Sequence, residues 1–165
     1  MFDPTAFDNL KVVFEGAVYD LDLTGEIQIL DRKDLFDFAH YERCYQIHYS
    51  LPYKKSISIE FHLKADMGHF LAERKMMTEK NMAGADILIV YKGDEKLHHC
   101  RSFLEETWNK DKNWEWKEVI SSLQPTAYEG VLTFNRVITE EMVDDVLQMI
   151  SFSVDTLQQL DRIDF

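Results

Sequence analysis

Between Cys44 and Lys64, apolar and polar residues alternate with one short break. Tyr45, Ile47, Tyr49 and Leu51 alternate with Cys44, Gln46, His48 and Ser50. After Pro52-Tyr53, Ile57, Ile59, Phe61 and Leu63 alternate with Ser56, Ser58, Glu60, His62 and Lys64. A period of two predicts strands, and two such runs around a short break predict an antiparallel hairpin with one dry and one polar face. A loop from Pro52 to Lys54 sets His48 opposite Ser58, Gln46 opposite Glu60, and Cys44 opposite His62. Upstream, Ala17, Tyr19, Leu21 and Leu23 alternate with Val18, Asp20 and Asp22, and Glu26 to Ile29 resume the pattern after Thr24-Gly25. A first hairpin is expected there, with Gly25 left-handed in its loop. Asp3-Pro4 has the form of a helix start, and Asp31 to Ala39 reads as a short helix or irregular crossing.

Downstream, Asp66 to Ala83 reads as a helix stopped by Gly84. The continuous apolar run Ile87 to Tyr91 predicts a central strand covered on both faces. Asp94 caps a helix whose inner stripe is Leu97, Cys100, Phe103, Leu104 and Trp108. A further helix is expected from Trp114 to Leu123, before Pro125, and a strand from Val131 to Ile138. Thr139 then caps a long helix whose apolar face is Met142, Val143, Val146, Leu147, Ile150, Val154 and Leu157. These elements predict a single α+β domain over residues 1–165. Its mainly antiparallel mixed sheet has two hairpins and two later strands, with helices on one face and a long amphipathic helix at the C-terminal end.

Composition narrows the class. The chain has 165 residues, enough for one hydrophobic core, and 45% of them are apolar. Two cysteines without metal-ligand spacing suit a reducing compartment. No secretory signal or bilayer-length apolar run is visible, so a cytoplasmic location and no membrane partner are expected. A net charge of −12, from 30 acids and 18 bases, disfavours nucleic-acid binding. Lys54, Lys55, Lys64, Arg74, Lys75 and Lys80 outnumber the acids between them, whereas the segment from Thr139 onward has Arg162 as its one base. Opposed charge of this kind suits self-association or a basic protein partner.

Four side chains of the polar hairpin face are candidate ligand-binding groups: Cys44, His48, Glu60 and His62. Thiol, imidazole and carboxylate within cross-strand reach can share a proton or hold an ion. The same alternation is what any half-buried hairpin shows, and no metal or cofactor motif accompanies it, so neither is expected. Glu140, Glu141, Asp144 and Asp145 open the last helix, where acids complement the dipole. His98 and His99 diverge around a helix from Cys100 and read as surface. Tyr41, Tyr45, Tyr49 and Tyr53 recur every fourth residue. Tyr45 and Tyr49 are expected in the core, leaving Tyr41 and Tyr53, with Trp114 and Trp116, as a possible aromatic patch.

Val18-Tyr19-Asp20-Leu21-Asp22-Leu23-Thr24, an apolar strand ending in Asp-x-Asp-x-Thr, resembles the first motif of the haloacid-dehalogenase-like phosphatases. The resemblance implies Asp20 as nucleophile and Asp22 as general acid/base around a magnesium ion. Ser50 and Gly93-Asp94 stand where two further motifs of that family would fall, and Leu23 replaces its usual glycine. A solvated hairpin edge accounts for the same residues. The reading that follows is a non-catalytic protein-binding or adaptor domain, chaperone- or immunity-like in general form. The alternative is a small magnesium-dependent phosphohydrolase using Asp20 and Asp22.

Overall fold

The computed structural model describes residues 5–69, 84–109, 113–134 and 136–163. Helix α1 (Ala6–Leu23) opens on a capping box. Thr5 Oγ1 accepts from the Asp8 amide at 3.1 Å, and an Asp8 carboxylate oxygen accepts from the Thr5 amide at 3.3 Å. Phe7, Leu10, Phe14 and Val18 form its buried stripe, the spacing of one helical face. The helix ends at Gly25, whose φ of 80° is open to glycine. There the Gly25 amide donates to the Asp22 carbonyl and the Glu26 amide to the Leu21 carbonyl, the paired bonds of a Schellman motif. Residues 17–23 are thus helical, which corrects the expected first hairpin. Their alternation is a short sample of a longer helical period that begins at Phe7. The proposed Asp3-Pro4 start lies outside the described residues, and Thr5 is the cap.

Six strands follow: β1 (Gln28–Asp37), β2 (Glu42–Leu51), β3 (Lys54–Ala65), β4 (Asp86–Gly93), β5 (Asn113–Val119) and β6 (Ala127–Thr133). They form one sheet in the order β1-β2-β3-β4-β6-β5, antiparallel at every pairing. Asp31 to Asp37 belong to an edge strand rather than a helix or crossing, and Trp114 to Val119 likewise form a strand. The last strand spans 127–133, and Ile138 beyond it makes an isolated bridge to Ala85. The helix expected over 66–83 falls mostly outside the described residues.

Helices α2 (Glu95–His99) and α3 (Arg101–Thr107), a 3-10 turn (Glu140–Met142) and α4 (Val143–Arg162) complete the chain. Asp94 caps α2 by accepting from the Lys96 amide. Thr139 precedes the 3-10 turn without a side-chain capping bond, so α4 itself begins at Val143. The helices pack on one sheet face, against Tyr45, Ile47, Tyr49, Ile59, Phe61, Leu63, Ile87, Ile89, Tyr91 and Leu132. Each such side chain contributes roughly 1.5–3 kcal/mol when fully buried. Two polar contacts fix α4 across this interface. The Tyr49 hydroxyl donates to Ser153 Oγ (2.6 Å), which donates to the Ile150 carbonyl. The Trp108 indole donates to the Tyr91 hydroxyl, which donates to Thr156 Oγ1 at 2.8 Å. Buried hydroxyls so matched specify the seat of the helix as well as its stability. Among the described residues, no helix is long and apolar enough to cross a membrane.

Candidate functional site

The sheet face turned away from the helices carries the four candidate side chains, as the alternation predicts, but the pairing differs by two residues. Pro52 and Tyr53 alone make the turn, with Tyr53 at φ 63°. A register shift between Ser50 and Leu51 then sets Ser50 opposite Ser58, His48 opposite Glu60, Gln46 opposite His62, and Cys44 opposite Lys64. A slip of two preserves the face and changes every partner.

Glu60 is the centre of this face. His62 Nε2 lies 2.6 Å from one carboxylate oxygen and Lys92 Nζ 2.7 Å from the other. The hydrogen bond from His62, helped by Lys92 and opposed by partial burial, holds the Glu60 pKa down to about 2. Burial works to lower the His62 value, but the Cys44 sulfur and the Glu60 carboxylate outweigh it and leave it raised. His48 behaves oppositely. Burial lowers its pKa, with Lys92 acting the same way, and its Nε2 lies 2.7 Å from Ser58 Oγ. Gln46 Nε2 lies 3.5 Å from Cys44 Sγ. Val90 and Val131 form a buried apolar floor beside Glu60. Both Glu60 oxygens are engaged, so the cluster is a neutralised strut across β2, β3 and β4 rather than a free base. Among the described residues, no group of three or more His, Cys, Asp or Glu is placed to hold a metal ion.

The other sequence candidates are dispersed. Asp20 and Asp22 sit in the last turns of α1, not at a strand end, and side chains two apart on a helix diverge by about 200°. The strand-end setting on which the phosphatase resemblance depends is absent at these residues. Glu140 accepts from Asn9 Nδ2 at 2.5 Å, and Asp145 lies 3.6 Å from Arg136. His98 and His99 are exposed, with His98 stacked on Tyr128 at 4.9 Å. Of the basic and acidic segments, Lys54 and Asp161 meet within the chain at 2.5 Å. Tyr45 and Tyr49 are in the core, while Tyr41 and Tyr53 are exposed at opposite ends of β2. Trp114 and Trp116 stack on each other at the far edge of the sheet (5.0 Å), so the four do not form one patch.

A different aromatic group is assembled at the β1–β2 turn. Phe36 and Phe38 have ring centroids 4.7 Å apart, Phe36 and Tyr41 6.3 Å. Phe38 is 81% exposed, Tyr41 55% and Phe36 43%, with Leu35 exposed beside them. Asp37 pins the turn by accepting from the Ala39 and His40 amides, and Tyr41 closes it at φ 55°. The signal was present as three aromatics within six residues around an Asp. The tyrosine spacing marks Tyr41 as an outlying aromatic, but nothing in that spacing groups it with Phe36 and Phe38.

Comparison of the chain with protein-family models, curated proteins and solved structures finds no match.

Proposed function

We propose that this chain is a non-catalytic, cytosolic protein-binding domain whose partner docks on the β1–β2 turn. The observation that carries the reading is the exposure of Phe36, Phe38 and Tyr41 on a hydrogen-bonded turn. Aromatic side chains held in place before binding lose little conformational freedom on contact, and such residues dominate binding energy at protein interfaces. Two free cysteines, Cys44 and Cys100, suit a reducing compartment.

The test is capture from source-cell extract by wild type and by Phe38→Ser, followed by titration of the purified partner. A hot-spot aromatic is worth at least about 2 kcal/mol, so Phe38→Ser should weaken binding roughly 30-fold or more. Tyr53→Ser, at the opposite end of β2, should leave it unchanged. A partner held equally by wild type and Phe38→Ser, or no partner at all, would overturn the reading.

A further inference from the structure

β5 forms one edge of the sheet, and among the described elements it pairs with β6 alone. Its two tryptophans lean back over the sheet. The Trp116 ring lies against Gly130 of β6 and donates from Nε1 to Glu105, while Trp114 reaches toward Tyr91 of β4 at 5.9 Å. Neither ring is directed across the edge, where alternate backbone N–H and C=O groups point outward. On the opposite face Glu115 and Lys117 are exposed, joined by a 3.7 Å contact within the strand.

We infer that a second copy of this chain pairs antiparallel along β5. A two-fold axis perpendicular to the sheet reverses strand direction and keeps each face on its own side, so opposed residues must share a face. With the axis at Trp116, Glu115 falls opposite Lys117 of the second copy and Lys117 opposite its Glu115. Four charges then alternate in sign on the outer face. On the helix face the two Trp116 residues meet, and Trp114 falls opposite Glu118. Moving the axis one residue either way sets Glu115 against Glu115 or Lys117 against Lys117, like charges directly opposed. The dimer extends the six-stranded sheet across the joint. At the other edge, β1 carries Asp31-Arg32-Lys33-Asp34, with Arg32 paired to Glu15 and Asp34 to Lys11 and Arg43. Charges on both faces of a strand guard an edge against pairing. β5 has Glu115 and Lys117 on its outer face, and on the helix face its one charge is Glu118 beside the strand's end, clear of the central Trp114 and Trp116. The dimer does not rest on the aromatic turn, which lies at the opposite edge.

A seven-residue strand pair is a small interface, so association should be concentration-dependent. The experiment is sedimentation velocity over a concentration series, with circular dichroism to verify each fold. Wild type is expected to self-associate. Glu115→Lys and Lys117→Glu each oppose like charges at both positions and should weaken self-association at least about tenfold. An equimolar mixture of these two variants restores opposite charges across the joint and should associate as wild type does, as should the double swap in one chain. Phe38→Ser should leave the dimer intact. A wild type that stays monomeric throughout, single variants that associate as wild type does, or a mixture that fails to associate would each overturn the dimer.

Discussion

Gly130 has no side chain, and Trp116 occupies the space one would take. A Cβ built there would lie 2.5 Å from Trp116 Cζ3 and 2.9 Å from Cη2. The two residues are direct cross-strand partners on the helix face. The indole cannot simply yield, because its Nε1 donates to Glu105 at 2.8 Å, its ring stacks on Trp114, and Arg101 lies over it at 5.4 Å. Gly130→Ala is therefore expected to destabilise the protein by about 1–3 kcal/mol, the range for an overpacked site. Urea denaturation measures the loss, and a shift in tryptophan emission should report ring displacement. An unchanged midpoint and spectrum would mean that the ring is not held as the contacts indicate.

At the scale of elements, α1 depends on its two ends as much as on its stripe. Nothing lies within 4 Å of a Cβ at Gly25, so Gly25→Ala meets no crowding and isolates the penalty of a left-handed conformation. It should destabilise by about 1–2 kcal/mol in thermal or urea unfolding, with Gly25→Asn affected less. The same helix shows what sequence can and cannot resolve. Residues 17–23 span only two helical turns, too few to separate a period of 2 from one of 3.6; extended back to Phe7, the stripe Phe7, Leu10, Phe14, Val18 settles the period. β2 and β3 were legible because burial on one face dictates every second residue, and the dry face is buried as expected. Their register was not, since it depends on a two-residue Pro52-Tyr53 turn and the irregularity beside it. The edge strands were least legible. On β1 the inward positions Arg32 and Asp34 meet charges on α1 and β2 instead of a core, so no apolar alternation marks them. On β5 the tryptophans alternate with charges, but a short exposed strand also suits a helical reading. The candidate cluster followed the same rule: its face could be read, whereas the pairing of His48 with Glu60 needed the register and the Lys92 contact needed a third strand.

For the whole molecule, charged groups set opposite limits on stability. Arg43 and Lys11 hold Asp34 down to about 2, against partial burial, and His62 with Lys92 holds Glu60 there too. A carboxylate lowered in the folded state stabilises above its unfolded value, and that contribution is lost as pH falls through the folded one. The acid limb should therefore descend from about pH 4.5 toward 2. His69 acts in the other direction. It is buried where β3 ends and β4 begins, with Asp86 3.4 Å from Nε2 and Asp66 2.6 Å from Nδ1. These carboxylates raise its pKa to about 9, over the opposition of burial. Its contribution is complete below the unfolded histidine value of about 6.5 and is lost as pH rises to about 9. The lowered pKa of His48 adds a small loss below pH ~6.5, because the folded state resists its protonation. His62, whose pKa is also raised, adds to the same alkaline loss, so stability should be greatest at mildly acidic pH and the melting temperature should fall between about pH 6.5 and 9. His69→Gln should lower the midpoint at pH 6 and flatten most of that alkaline limb, whereas Glu60→Gln should flatten the acid limb and, by removing a partner of His62, a smaller part of the alkaline one. Melting curves across the range for the three proteins separate these effects. An alkaline limb unchanged in His69→Gln would show that the Asp66–His69–Asp86 contact does not join the ends of β3 and β4 in solution.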